Sequence, residues 1–383
     1  ALVLKGSFGL SPKGRQLRNA LIGVQYVASF GLIIGATFMY LQNYYMQNTP
    51  LGYDKDEIII TNMNNNIRKS RDAFASQVKS FSGIEEVTYA EMLLSSQDQY
   101  MGWGRKYRDK DIQFQCLPVE PSFLKVMNVK ISEGRDFREE DKAKRYGTFV
   151  FNERARTEYG LEIGSLIDSM EIVGFMPDVK FASFRTEVTP MAFFVWGTNN
   201  WGNQPNYAYI KVKAGSDLRG AMQHVKTTLQ SFDPEYPFNV RFFDEVLNGL
   251  YEKERSLSSL ITLFSLIAIF ISVVGVFGLV VFDSEYRKKE IGIRKVLGST
   301  TEEIIVMFNK TYIRILCVCF VLGAPIAGYV VHRWLENFAY KTPMYWWVYL
   351  IAFAIIAVIT ILTVTFQNWR AANENPVHSI KNE

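Results

Sequence analysis

Three histidines, three cysteines and a scatter of carboxylates are the groups in this chain that could hold a metal ion or move a proton. His224, His332 and His378 are too far apart for an H-E-x-x-H helix, and no metal-binding cysteine pair or G-x-S-x-G turn occurs. "GIRKVLGST" (Gly292–Thr300) has the outline of a phosphate-binding loop, but Ser299 stands where such a loop needs Lys. "REEDK" (Arg138–Lys142) gathers acids that could touch a cation, and a solvated loop face is the expectation there. The catalytic and metal-ligating sets are therefore empty, and no enzyme site is expected.

Recognition is the chemistry that remains. "EYRKKEIGIRKVLGSTTEEI" (Glu285–Ile304) carries five basic and four acidic side chains. Arg287, Lys288, Lys289, Arg294 and Lys295 can steer and orient a partner, with Glu290 among them. Ile291, Ile293 and Leu297 offer apolar contact, while Gly292 and Gly298 keep the surface low. An amphipathic helix of this kind can lie on lipid or fit a protein groove. Few aromatic or Leu residues are present, and Glu290, Glu302 and Glu303 would be repelled by anionic headgroups, so a protein groove is the expectation.

The elements around this stretch must position it. Four apolar runs, Ala20–Leu41, Ser258–Phe282, Ile313–Val331 and Trp346–Phe366, match the roughly 20 residues that cross a bilayer as a helix. Lys5, Lys13, Arg15 and Arg18 precede the first run and the five cations above follow the second, whereas only Arg333 and Lys341 lie between the third and fourth. The positive-inside rule then puts both termini and the charged stretch in the cytoplasm. Trp334, Tyr340, Tyr345, Trp346 and Trp347 would line the outer interface and Trp369 the inner one.

The expected order follows: a cytoplasmic segment 1–19, a span 20–42, a periplasmic α+β domain with stalk helices 43–255, and a span 256–282. A cytoplasmic helix 283–303, a span 304–332, a short periplasmic loop 333–344, a span 345–369 and a cytoplasmic tail 370–383 complete it. Within the external domain, "DEIIITN", "EEVTYAEML", "GTFVFNE", "MEIVGFM", "MAFFVWG" and "YAYIKVK" read as strands of an antiparallel sheet. "RKSRDAFASQVKSF" and "DLRGAMQHVKTTLQSF" read as amphipathic helices. "FFDEVLNGLYEKERSLSSL" should run as one stiff helix into the second span, with Gly249 its only breaker. Gly31-x-x-x-Gly35 and Ala268-x-x-x-Ser272 are small faces for helix packing, and Gly323, Pro325 and Gly328 mark a kink. Cys116 is expected as a lone buried thiol. The net charge of +4 is too small to imply a nucleic-acid partner. Ala1-x-x-Leu4-Lys5 echoes Val377-x-x-Ile380-Lys381, and with no initiating Met this points to the C-terminal half of a duplicated chain.

"YRKKEIGIRKVLGST" resembles the R-x-K-E-I-G-I-R-K-x-L-G-A-[ST] segment of MacB/FtsX-like permeases of ABC transporters. "PSFLKVMNVKISEGRDFREEDK", "EIVGFMPDVKFASFR", "FFDEVLNGLYEKE" and "NPVHSIKNE" resemble the same family, so the likeness covers almost the whole chain. Ser299 replaces the usual Ala, and "FMPDVKF" stands where "VVKDFHF" is common. The resemblance implies that Arg287 through Gly298 dock on a separate cytoplasmic ABC ATPase. That subunit would hold ATP and Mg, and this chain would bind no cofactor. Stalk helices would pass movement to the periplasmic domain for export of a substrate that the sequence does not name. Further partners it implies are a second permease half or homodimer partner, membrane lipid, and a periplasmic adaptor with an outer-membrane channel. The implied location is the cell inner membrane. An FtsX-like regulator of envelope machinery and a membrane sensor stay open as alternatives. Bulky replacements of Gly292 or Gly298 are expected to uncouple ATP hydrolysis from transport without disturbing folding; transport assays on the variants check this.

Overall fold

The computed structural model describes residues 12–97, 99–199, 204–286, 293–294 and 297–372, and these divide into two units. One unit is helical and the other is α+β (residues 48–253 with 338–340).

Helices α1 (Pro12–Asn48), α8 (Glu252–Tyr286), α9 (Thr301–Leu335) and α10 (Trp346–Ala372) make the helical unit. Each contains a segment long and apolar enough to cross a membrane: Ala20–Asn48, Glu252–Phe282, Thr301–Leu335 and Trp346–Arg370. At 1.5 Å per residue, α9 rises about 50 Å, well beyond the roughly 30 Å of a hydrocarbon core. Apolar side chains all round such helices fit a lipid solvent, and Phe264, Phe270, Val274 and Phe277 of α8 point outward. Inside, Tyr26, Phe30 and Phe38 of α1 pack on Tyr312 and Leu316 of α9 and on Ala352 of α10.

Polar pairs fix the register of these helices. Ser29 and Ser272 hydroxyls lie 2.8 Å apart, and Tyr26 meets Thr360 at 3.0 Å. Ser265 donates to the Leu32 carbonyl at 3.0 Å, and Asn309 donates to Thr365 at 3.0 Å. At the other end of α1, the Gln42 carbonyl oxygen accepts the Thr342 N–H at 2.8 Å. Helix α9 runs unbroken through Pro325, so the expected break in chain direction is not an end of the helix.

The α+β unit is built from two sheets. Strands β1 (Ile58–Asn62), β2 (Ile84–Ala90), β10 (Tyr207–Val212) and β11 (Arg241–Phe242) form an antiparallel sheet in the order β11-β1-β10-β2. The second sheet runs β3 (Gly102–Tyr107), β4 (Lys110–Pro118), β9 (Met191–Val195), β6 (Thr148–Asn152), β8 (Met170–Met176) and β5 (Glu133–Gly134), with β7 (Leu166–Ile167) beside β8. Alternation sorts the side chains: Ile58 and Ile60 face a core shared with Val150, Phe193 and α4 (Phe123–Val126), while Ile59 faces α2 (Asn65–Lys69), α3 (Arg71–Lys79) and α6 (Leu218–Phe232). Phe149, Phe151 and Phe194 point the other way into an aromatic core with Trp103 and Phe114.

Three expectations are corrected. The second sheet is mixed, because β4 pairs with β9 and β6 with β8 in parallel. Helix α5 (Glu153–Tyr159) in the β6–β8 connection supplies the crossover that parallel strands need. The expected single stalk helix ends at Leu250 as α7 (Phe243–Leu250), and α8 begins at Glu252. Tyr251 makes the break, with its hydroxyl accepting the Phe184 N–H at 3.0 Å, and Gly249 stays helical. Finally, "REEDK" is not wholly solvated: Asp141 is 1 % exposed and takes two 2.8 Å hydrogen bonds from the Arg135 guanidinium. Cys116 is fully buried and unpaired in β4.

Burial would push the Asp141 carboxyl up, but Arg135, the Arg138 N–H and Lys144 hold it below the ordinary carboxylate range. Its contribution is therefore present above pH ~4 and is lost as pH falls through the depressed value. Asp141→Asn should destabilise the folded protein by about 1–3 kcal/mol at neutral pH and shrink that acid-side loss; thermal melts from pH 7 to pH 2 measure both. A Ser29→Ala/Ser272→Ala double-mutant cycle in mixed micelles should give a coupling of about 0.6 kcal/mol, with ~2 kcal/mol the upper limit.

Candidate functional site

Between α8 and α9 the described residues build a closed helical turn. The Leu297 N–H donates to the Ile293 carbonyl at 3.0 Å and the Ser299 N–H to the Arg294 carbonyl at 2.9 Å. Gly298 stands between them at φ +95°, a conformation that costs a side chain about 1–2 kcal/mol. The reach from Ser299 back to Arg294 across a left-handed Gly is the 6→1 bond of a Schellman ending. Gly298 is thus required by the turn itself. A Cβ there would meet nothing within 4 Å, so substitution strains the backbone and does not clash.

The chain then restarts at once. Thr300 caps α9: its hydroxyl accepts the Glu303 N–H at 3.3 Å, and the Glu303 carboxylate accepts the Thr300 N–H at 3.1 Å. Glu302 and Glu303 sit in the first turn, where the helix dipole favours them. The expected cytoplasmic helix 283–303 is corrected accordingly, since Thr301–Glu303 belong to α9. The signal was legible as T-x-x-E, a capping box.

Two side chains of the site are left open. Ile293 and Leu297, one turn apart, are 56 % and 79 % exposed. Arg294 is exposed and reaches back to α9, donating to the Met307 sulfur at 2.9 Å. The result is an aliphatic ridge with a fixed end, suited to burial in an apolar groove. Arg287, Lys288, Lys289, Glu290, Ile291, Gly292 and Lys295 lie outside the described residues.

The small faces behave differently from one another. Ser272 engages Ser29, and the Ala268 carbonyl lies 3.4 Å from the Ser29 hydroxyl. At Gly31 and Gly35 a Cβ would meet nothing within 4 Å, so neither brings helices of this chain together. Both line an apolar groove of about 480 Å³ with Val27, Ile326, Val330 and Trp334. The glycines that do permit close approach are Gly275, where a Cβ would lie 2.5 Å from the Gln25 amide oxygen, and Gly328, where it would lie 2.8 Å from the Tyr349 hydroxyl. Spacing within one helix marks Gly328 as small but does not name Tyr349 of α10 as its neighbour. Among the described residues no group of three or more His, Cys, Asp or Glu could hold a metal ion.

Comparisons with known proteins bear on the whole arrangement. The family model described as MacB-like periplasmic core domain matches residues 22–228, and that described as FtsX-like permease C-terminal matches residues 262–376. The macrolide export ATP-binding/permease protein MacB of Chromobacterium violaceum is 23% identical over 230 residues, covering 57% of this chain and 35% of its own. Its namesake in Escherichia coli K12 is 23% identical over 233 residues, with the same coverage of 57% and 35%. The chain thus spans about a third of the length of these curated relatives. The crystal structure of the periplasmic region of MacB from Actinobacillus actinomycetemcomitans is 14% identical with a TM-score of 0.38, covering 52% of this chain and 94% of that one. The periplasmic core model alone takes in more than half of the sequence, and on that match, joined by the permease model, the chain belongs to the MacB/FtsX-like family of ABC transporter permeases.

Proposed function

We propose that this chain is the non-catalytic permease subunit of an ABC exporter of the inner membrane, worked by a separate ATPase that binds ATP and Mg. The observation that carries this reading is the exposed Ile293–Leu297 ridge, closed by Gly298 and followed directly by the capped start of α9. A ridge rigidly joined to a membrane helix can pass on a push, whereas a free tail could not. The printed names of the relatives pair ATP binding with a permease. No phosphate loop with its Lys occurs within these residues.

The helical unit supports transmission in preference to conduction. The groove beside Gly31 and Gly35 is lined by apolar side chains alone and offers no path for a polar cargo. Movement delivered at the ridge would travel along α8 and α9 to the α+β unit, which would then act on substrate. Bare apolar surface on α8 and the open Gly31/Gly35 face leave room for lipid and for a second copy or second permease half. A periplasmic adaptor and an outer-membrane channel remain compatible partners.

Leu297→Asp is the sharper probe of docking, because Gly298 also maintains the local turn. Burying a Leu contributes about 1.5–3 kcal/mol, so losing it should weaken ATPase binding roughly ten- to hundred-fold. Purified permease and ATPase subunits titrated in detergent measure this, with thermal melts as the folding control. Unchanged affinity would rule out the ridge as the docking site. Substrate-stimulated ATP hydrolysis in the reconstituted pair separates export from envelope regulation.

A further inference from the structure

Three stretches of the α+β unit border helices of the membrane unit in sequence. They are Leu51–Tyr53 after α1, Tyr251 before α8, and Phe338–Tyr340 between α9 and α10. All three engage one loop, Val179–Val188, between β8 and β9.

The first stretch is sewn in tightly. The Lys180 N–H donates to the Leu51 carbonyl at 2.9 Å, and the Tyr53 ring stacks on Phe181 at 5.0 Å. A Cβ on Gly52 would lie 2.6 Å from the Val179 side chain, so this approach needs glycine. The second stretch contributes Tyr251, whose hydroxyl accepts the Phe184 N–H and whose ring lies 6.2 Å from that of Phe184.

The third stretch is the least expected, because its sequence reads as a short loop with an interfacial aromatic at Tyr340. The Tyr340 N–H donates to the Phe184 carbonyl at 3.1 Å, and the Val188 N–H donates to the Tyr340 hydroxyl at 3.3 Å. Its ring meets Phe184 edge-on at 5.9 Å. The Lys180 ammonium lies over both rings, 4.6 Å from Tyr340 and 5.1 Å from Phe184. Arg185 covers Phe338 at 5.9 Å, and Phe338 and Phe184 are 3 % and 1 % exposed. Cation–ring contacts are individually modest, so together they make a clasp of useful but breakable strength.

We propose that the Val179–Val188 loop is where movement of the membrane helices is received, and that Tyr340 is the positioning residue binding the α9–α10 link to it. This rests on the mechanical reading above and adds its route. Residues 177–190 form no strand or helix, and Val179 and Phe181 seat the loop in the core beside Phe193 of β9, so a push on the loop is passed to the sheet. Two helix ends alone would let the α9–α10 pair move without being felt. A third attachment makes all four membrane helices report to the same loop.

The test uses the full permease with its ATPase and follows amide hydrogen exchange with and without ATP. Tyr340→Ala should speed exchange at Val188 and Tyr340 at least tenfold in the permease alone. It should also cut the ATP-dependent change across the α+β unit several-fold, while binding to the ATPase is retained. Tyr340→Phe, which keeps the ring and loses the hydroxyl, should speed Val188 alone and preserve most of the ATP response. Unaltered Val188 exchange in Tyr340→Ala overturns the clasp. A loosened clasp with a full ATP response overturns the positioning role and leaves the mechanical reading standing. If the wild-type complex shows no ATP-dependent change at all, the mechanical reading fails, and this proposal fails with it.

Discussion

A hydrocarbon layer offers no partner to an unpaired backbone amide, and every feature of the helical unit follows from that constraint. The chain crosses as helices, so irregular backbone is expelled to their ends. Gly298 with its left-handed turn, Thr300 with its cap, Tyr251 at the α7–α8 break and Phe338–Tyr340 all lie at such ends. The groups able to recognise something else are gathered at the same places. Inside, where lipid gives no hydrophobic preference for helix over helix, hydroxyl pairs such as Ser29–Ser272 and Tyr26–Thr360 choose the neighbours.

The α+β unit solves a different problem with the same economy of contacts. Period-two alternation in β1, β6 and β9 gives each strand two apolar faces, so both sheets are buried on both sides. That leaves connections as the deformable parts. Val179–Val188 is a connection of a different kind, held by hydrogen bonds to Leu51, Tyr251 and Tyr340 and seated in the core through Val179 and Phe181. A loop attached on one side to three chain entries and on the other to the sheet core is what a domain needs if it is to be moved without unfolding.

Much of this was legible in the residues. The four spans declare themselves because a run of about 20 apolar residues has no other common explanation. Ile58–Asn62, Thr148–Asn152 and Leu218–Phe232 follow from alternation or amphipathic spacing. β3 and β4 escaped notice because "GWGRKY" and "KDIQFQ" interleave charge and glycine along an edge hairpin. The parallel pairings were hidden for another reason: direction is set by the path of the chain, which local pattern does not encode. At the candidate site, Gly298 was singled out as small, whereas its φ of +95° makes it a turn residue. The hydrogen bond that accompanies the break at Tyr251 comes from Phe184, 67 residues away in sequence, and no local rule would find it. The contacts of Tyr340 are hidden for the same reason, since Phe184 and Val188 lie far from it in sequence.

The central claim is that the Ile293–Leu297 ridge is the seat of a nucleotide-binding subunit. The most direct measurement places a photo-crosslinking amino acid at position 297 in the assembled complex and identifies the adduct by mass spectrometry. The account predicts a peptide of an ATPase bearing its own G-x-x-x-x-G-K-[ST] loop, lost when Ile293 is replaced by Asp. Adducts only to lipid, or to a second copy of this chain, would contradict it.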